Sequence, residues 1–583
     1  MNMTHSFRIA AVVAFLASLG LCDEAQQHTK TPTAVRSTFD KDVVGLWMMG
    51  QSLCEGAESL PVVTSTDSGW GNLMFNCGVR TWTARQHCME PEKRPDDQFT
   101  FIPLTATNSS GLGETIANGL ADHLRSRLIT TDHRSVHQDP QFLVTYAGQG
   151  GRLIDELSII DQSNDARTPE NRQHGGGYYN TSLDDARRAQ DQAESMGKSF
   201  EIVALIWMQG EANGGPTGGI NPSRWDQELK QPGGQEWYRD RLIDYQEQWS
   251  QDLQLITGQS DDIPMFTYQT QGPAGEAQLM AADRDANITM VGPHYMIPSA
   301  MNSRFAHRYG DPIHMSADGE RWYGEQVAKV VSRALIEGEV WQPLRPRKAW
   351  IGSDRTDVWV EFEVPRPPLI LDQTFLPREQ YPMDDGFHSL YGFQIRDAER
   401  LVLGITAIEI ESPTLMRIQL AAPVKADARY TLSYGLPYAG QIGKIVGIRT
   451  GVSVADQETT ELIIDGNIRR RLTPLITEGA FHVSNMLSGD AFAQAPIRDV
   501  NEVDGITVLR FENRELRNNT AFTIGQTLTA LRPFSYGNLR DSDPEQAIYR
   551  FGDSGYGTRA GQPYPLWNWC VLFNQFPITD EIE

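Results

Sequence analysis

Four short stretches bring together residue types that could carry out acyl transfer. In "GLWMMGQSLCEG", residues 45 to 56, an apolar run breaks at Gly50-Gln51 and presents Ser52 where a strand would leave the core. "YAGQGGRLIDEL" places Gly150 and Gly151 between a strand and a helix, where bare backbone N–H groups favour negative charge. "IWMQGEAN" ends another apolar strand with Gln209, Gly210, Glu211 and Asn213, and "GDPIHMSADGERW" sets Asp311 three residues before His314. Together these supply a hydroxyl, a base, a carboxylate to orient the base, and amide donors for an oxyanion.

Taken singly, each stretch has a plainer reading. Ser52 is then a turn or N-cap serine, His314 a loop histidine bonded to backbone, and Gln209 with Glu211 a pair of loop caps. "WMQGEAN" is the most specific of the four, because polar Gln and Glu straight after so apolar a strand are costly to bury without a purpose. Glu211 is open between orienting neighbouring loops and polarising the site, and Asn213 is a second candidate oxyanion donor. Asp155 and Glu156 suit the first turn of a helix and read as structural. Cys54 stands two residues from Ser52 with no histidine near it in sequence, so packing or a disulfide suits it better than nucleophilic chemistry.

The elements that must position these residues alternate along the first half of the chain. Ile116, Leu120, Leu124 and Leu128 share one helical face, "QFLVTYAGQGG" reads as a strand, and "SLDDARRAQDQAESMG" as a helix. The apolar strand 202–208, a helix around "EWYRDRLIDYQEQWSQDLQLI", and the strands "PMFTYQT" and "ITMVGPHYM" follow. Continuous apolar strands interleaved with helices predict a parallel sheet covered on both faces, with ligands at the carboxyl ends of its strands. Residues 320–338 form the last helix of this half, striped by Tyr323, Val327, Val330, Val331 and Ala334, with Ser316 as its N-cap. Near residue 345 the texture changes: Val358, Val360, Phe362 and Val364 alternate, and a β-rich region 345–583 is expected. The aromatic run "YPLWNWCVLFNQF" reads as a final core strand.

The chain has 583 residues and a formal net charge of -24, which argues against nucleic acid and anionic membranes as partners. Arg8 before "IAAVVAFLASLGLC" reads as an export signal over residues 1–22, giving a secreted or periplasmic protein, with a lipid anchor at Cys22 a minor alternative because Leu21 is bulky. No other stretch predicts a membrane span. Cys54, Cys77, Cys88 and Cys570 allow up to two disulfides in three connectivities, and the short spacing favours Cys77 with Cys88. Scattered histidines and the absence of H-E-x-x-H or Cys-x-x-Cys speak against a metal site, and no nucleotide-binding fingerprint is complete.

The four stretches, in this order, resemble the blocks of the SGNH (GDSL-like) hydrolase superfamily, and specifically its sialate O-acetylesterase and carbohydrate acetylesterase branch. The resemblance covers roughly residues 40–340. It implies an α/β catalytic domain of three layers, flavodoxin-like in kind, with no metal and no cofactor, acting on an acetylated carbohydrate. It further implies Ser52 as nucleophile, His314 as general base, Asp311 as its partner, and an oxyanion hole from the Ser52 backbone, the Gly151 N–H and the Gln209 amide; Gly150, Glu211 and Asn213 stand beside these as site-supporting candidates read from the stretches themselves. Two positions depart from the pattern: Leu53 stands where Asn often follows the serine, and Arg152 where Thr follows the glycine pair. A lipase or thioesterase shares this mechanism, and a catalytically silent sugar-binding or adhesive protein would share only the scaffold.

Overall fold

The computed structural model describes residues 39–81, 94–107, 111–132, 140–158, 177–213, 234–300 and 313–580, the last apart from 384–385, 400, 437, 455–456, 469–481, 485–494, 497–498, 513–522, 532–535 and 553–556. The export segment with Cys22, Cys88 and Asp311 lie outside the described residues. Seven strands build the first sheet: β1 (Val43–Gly50), β2 (Leu73–Phe75), β3 (Phe101–Pro103), β4 (Gln141–Gly148), β5 (Phe200–Met208), β6 (Met265–Gln269) and β7 (Ile288–Pro293). Their order is β3-β2-β4-β1-β5-β6-β7. All neighbours run parallel except β3, which lies antiparallel on β2 at the edge.

The central strands are buried along almost their whole length, as expected of continuous apolar runs in a parallel sheet. The longer helices among the described residues are α1 (Ala117–Asp132), α2 (Gly177–Ser195), α3 (Gln235–Thr257), α4 (Pro273–Arg284) and α5 (Ala317–Leu335). They pack in two groups, α1 against α5, and α2 against α3 with α3 against α4. Ile116, Leu120, Leu124 and Leu128 are all buried, so the predicted apolar face of α1 is the face that packs. Ser316 caps α5 as its spacing predicts, its Oγ accepting from the Gly319 N–H at 3.1 Å.

From Arg345 onward the strands pair antiparallel, apart from one isolated parallel bridge between Trp350 and Thr579. One sheet of ten strands runs from Arg345–Ile351 to the final strand Phe573–Ile578. Its two ends meet, because Ile351 N donates to Thr579 O and Thr579 N to Ala349 O, so the sheet curls closed around a core that includes Phe393, Ile418, Leu432 and Tyr434. Val358, Val360 and Phe362 point into that core on alternate positions of one strand. A second sheet of seven strands, within Tyr438–Leu531, is inserted between two neighbouring places in the first, with Leu539 N donating to Tyr434 Oη at 2.9 Å just beyond it.

The segment after this insertion returns to the α/β half. Phe551, Tyr564, Leu566, Trp569 and Val571 join the same hydrophobic core as β1 and β5, and Trp322 of α5 stacks on Tyr564 with ring centroids 5.7 Å apart. The aromatic run 564–576 therefore divides between the two cores, Tyr564, Leu566, Trp569 and Val571 serving the α/β half and Cys570 and Phe573 the antiparallel sheet. As a result α5, amphipathic in sequence, is covered on its polar side as well. Its Lys329 reaches Asp543 at 3.4 Å, Asn568 Oδ1 at 2.6 Å and the Leu566 carbonyl, and Arg333 reaches Glu545 at 2.7 Å.

Candidate functional site

The strand order places β1 between β4 and β5, so three of the four motifs meet at one edge of the sheet. Gly50 pairs with Gly148 on one side and Met208 on the other, and Gln51 N donates to Met208 O at 2.9 Å. Only glycine fits at position 50, where a Cβ would lie 2.0 Å from the Met208 carbonyl oxygen. Beyond it the chain folds into a tight turn closed by Glu55 N to Gln51 O at 3.1 Å and Ala57 N to Ser52 O at 2.9 Å. Ser52 thus caps the carboxyl end of the central strand. It is 9% exposed, and among the described residues its hydroxyl makes no hydrogen bond.

The glycine block lies directly on this serine. A Cβ at Gly150 would stand 3.4 Å from Ser52 Cβ and 3.0 Å from Glu55 Oε1, so a side chain there would press on both. Gly151 takes φ of +72°, a left-handed turn that glycine adopts at little cost. Arg152, one of the departures from the family pattern, folds back so that its Nε and NH2 donate to Gln149 Oε1 at 3.1 and 2.7 Å, while Tyr178 Oη donates to the same oxygen. Arg152, itself buried, braces the loop from within.

From β5, the Gln209 side chain ties the motifs together. Its Nε2 donates to Arg152 O at 2.9 Å and to Asn213 Oδ1 at 2.7 Å, and lies 3.4 Å from Gln51 Oε1. Gln51 Oε1 also accepts from the Ala212 N–H at 3.1 Å, and Asn213 Oδ1 from the Ile154 N–H at 3.0 Å. Tyr238 Oη donates to Gln209 Oε1 at 2.7 Å. In this structure the Gln209 and Asn213 amides therefore serve as links among loops. Glu211 turns toward β6, its Oε1 accepting from Tyr268 Oη and from Thr270 Oγ1, while its Oε2 is buried without a partner among the described residues. Asp155 pairs with Arg241 at 2.9 Å, and Glu156 accepts from the Leu153 N–H at 2.8 Å, as structural residues of a helical turn would.

His314 is buried in the loop that leads into α5, with its carbonyl accepting from Ala300 N at 2.9 Å. It and Ser52 share no direct hydrogen bond. Its partner in the reading above, Asp311, lies outside the described residues.

Glu55 was not singled out by sequence, nor were Arg80, Glu320 and His294. Burial pushes the Glu55 carboxyl up to about 7, against the pull of Arg80, the Gly150 N–H, His314 and Arg152. Burial, with Glu114 nearby, raises Glu320 far above the carboxylate range, and both its oxygens lack partners among the described residues. Burial also lowers His294, whose ring lies 5.3 Å from that of Tyr268, against the opposing charge of Glu211. The available signal for Glu55 was a carboxylate within "SLCEG", one helical turn after the serine. Burial, together with Glu320 and Glu55, holds the Cys54 thiol well above its ordinary range; Cys54, Cys77 and Cys570 are free thiols.

No family model and no curated protein matches the chain. Among solved structures, it is similar to XAC1771, a carbohydrate acetylesterase from Xanthomonas citri, with a TM-score of 0.42 and 16% identity over 68% of this chain and 75% of that one. It is similar to NanS with a TM-score of 0.32 and 15% identity, over 51% of this chain and 99% of that one. Est24, a carbohydrate acetylesterase from Sinorhizobium meliloti, is similar with a TM-score of 0.23 and 12% identity, over 49% of this chain and 98% of that one.

Proposed function

We propose that the chain is an exported serine esterase that removes O-acetyl groups from carbohydrate, built on a three-layer α/β/α domain over residues 40–340 with the 345–583 region appended. The observation that carries this reading is the sheet order, which sets the Ser52 turn between the glycine block and the Gln209 block, with Gly150 in contact distance of Ser52. Ligands of parallel sheets bind at such an edge, where strand connections diverge to either side.

In the proposed cycle Ser52 Oγ attacks the acetyl carbon and gives its proton to His314, which Asp311 orients. The negative oxygen of the tetrahedral intermediate lies toward the backbone N–H groups of Ser52 and Gly151, and Gln209 joins them if its amide turns away from Asn213. His314 passes its proton to the departing sugar oxygen, and water repeats the sequence on the acetyl-serine. A second reading, a binding protein on the same scaffold, draws support from the Gln209 amide being tied to Arg152 O and Asn213 Oδ1.

Hydrolysis of p-nitrophenyl acetate by the wild type beside Ser52→Ala decides between them. The esterase reading expects a loss of about 10³-fold or more in kcat with the melting temperature retained. Equal inertness of both proteins, with binding of an acetylated glycan retained, establishes the second reading instead.

A further inference from the structure

We propose that His294 and Glu211 form a hydroxyl-binding subsite beside the Ser52 turn, accepting hydrogen bonds from free hydroxyls of a neutral saccharide that carries the ester. The proposal rests on the esterase reading above and names the part of the substrate which that reading leaves open. Its ground is the carboxyl edge of the sheet on the side of β1 away from the glycine block. There Glu211 follows β5, Thr270 follows β6 and His294 follows β7. This edge is tied to the serine turn, because Gln51, next to Ser52, accepts through Oε1 from the Ala212 N–H at 3.1 Å. Gly210 lets the Glu211 loop lie close to β6, since a Cβ there would stand 2.4 Å from Thr270 Cγ2.

The His294 imidazole is held by one bond and two rings. Its Nδ1 lies 3.2 Å from Gln269 O, and a carbonyl only accepts, so Nδ1 carries the hydrogen. The rings of Tyr268 and Tyr323 stand 5.3 and 6.4 Å from it, centroid to centroid, and Tyr323 is itself anchored by its Oη to Gly292 O at 2.9 Å. Burial among these rings disfavours the charged form, so Nε2 offers a lone pair, and it makes no hydrogen bond among the described residues. A histidine that only closed the core would spend both nitrogens. Two residues upstream, buried Gly292 leaves room, since a Cβ there would meet nothing within 4 Å among the described residues.

Glu211 supplies a second open acceptor. Its Oε1 is spent on Tyr268 Oη and Thr270 Oγ1, while its Oε2 has no partner among the described residues. Tyr268 thus bonds Glu211 through its hydroxyl and faces His294 with its ring, so both acceptors lie against one side chain. Acceptors select a ligand that brings hydrogens: a free sugar hydroxyl does, an acetylated oxygen does not. Neither group would hold a carboxylate or sulfate, and the formal net charge of -24 disfavours an anionic glycan as well. β7 lies three strands from β1, about 14 Å at ordinary strand spacing, so the ligand extends beyond one sugar ring.

The test compares mono-O-acetylated methyl β-xylobioside, whose other hydroxyls are free, with its peracetate, which has none. The wild type should favour the monoacetate about tenfold or more in kcat/KM. His294→Asn, which keeps a donor for Gln269 O and lacks Nε2, should lose most of that preference, the loss falling on KM. Equal kcat/KM on the two sugars in the wild type, activity on neither included, overturns the proposal, and so does a preference that survives in His294→Asn. If that variant does not fold, Glu211→Gln takes its place, with the same loss expected and a retained preference again decisive against the subsite. Failure of the esterase reading shows separately, as a wild type without Ser52-dependent hydrolysis of p-nitrophenyl acetate. In that case histidine-selective nitrogen NMR decides. The His294 ring should be neutral and protonated at Nδ1, with an Nε2 resonance that moves on addition of methyl β-xylobioside. A ring protonated at Nε2, or an unmoved Nε2 resonance, rules the subsite out.

Discussion

Two buried polar regions of this molecule are built in opposite ways. Where the 541–568 segment docks on α5, the charges are paired, Lys329 with Asp543 and Asn568, Arg333 with Asp543 and Glu545, and His123 with Glu325 at 2.8 Å and Glu545 at 3.2 Å, although Arg333 Nε and Ser332 Oγ have no partner among the described residues. At the carboxyl edge of the sheet, Glu55 Oε2, Glu211 Oε2 and both oxygens of Glu320 are buried without partners among the described residues. The carboxyls follow suit. Glu545, though burial opposes it, is held down at about 2 by His123, Lys329, Arg127 and Arg333, whereas Glu55 is pushed up to about 7. A matched network fixes a structure, and unmatched buried groups are tolerated where a ligand or a moving charge completes them.

The contrast predicts that mutations in the two regions will separate stability from activity. The largest effect should come from Lys329→Met, which removes one of the two cations beside buried Asp543 and leaves it to Arg333 and Asn568, and should cost about 3 kcal/mol of unfolding free energy in urea. Hydrolysis per folded molecule should stay at the wild-type level, and a matching loss of activity would erase the distinction. Gly150→Ala should do the reverse: the added methyl presses on Glu55 and Ser52, lowering kcat about tenfold with a smaller change in melting temperature. The smallest effect belongs to pH. Burial alone would lower the His123 pKa, but its hydrogen bonds to Glu325 and Glu545 outweigh that and raise it above the ordinary value near 6.5. Its contribution to stability is therefore complete below that value and is lost as pH rises through the folded-state pKa. His123→Gln should flatten the stability curve over that window, and a curve that keeps its slope would assign the titration to another group.

Much of the site could be read from sequence because its pieces are local. The apolar strand ending in Gly50-Gln51-Ser52, the glycine pair and the polar residues after Met208 each carry their own signal. Their adjacency does not, since nothing local says that β4 and β5 flank β1. Helix α4 was missed because "PAGEAQLMAADR" opens with Pro and Gly and its alanines blur the apolar stripe. The edge strands β2 and β3 are three residues each, too short to show alternation. Lys329 and Arg333 look like the solvated side of an amphipathic helix, because the groups that cover them are far away in the chain.

That distance bears on how the protein is made. Lys329 meets Asp543 across 214 residues and Asn568 across 239, so during synthesis α5 exists long before anything can neutralise it. Pairings so remote in sequence are slow to form, and until they do the helix presents uncovered cations beside an apolar surface that Tyr564, Leu566 and Trp569 will later fill. A nascent chain stalled before residue 541 would therefore hold a finished sheet edge with its serine turn in place, on a body that still lacks part of its interior.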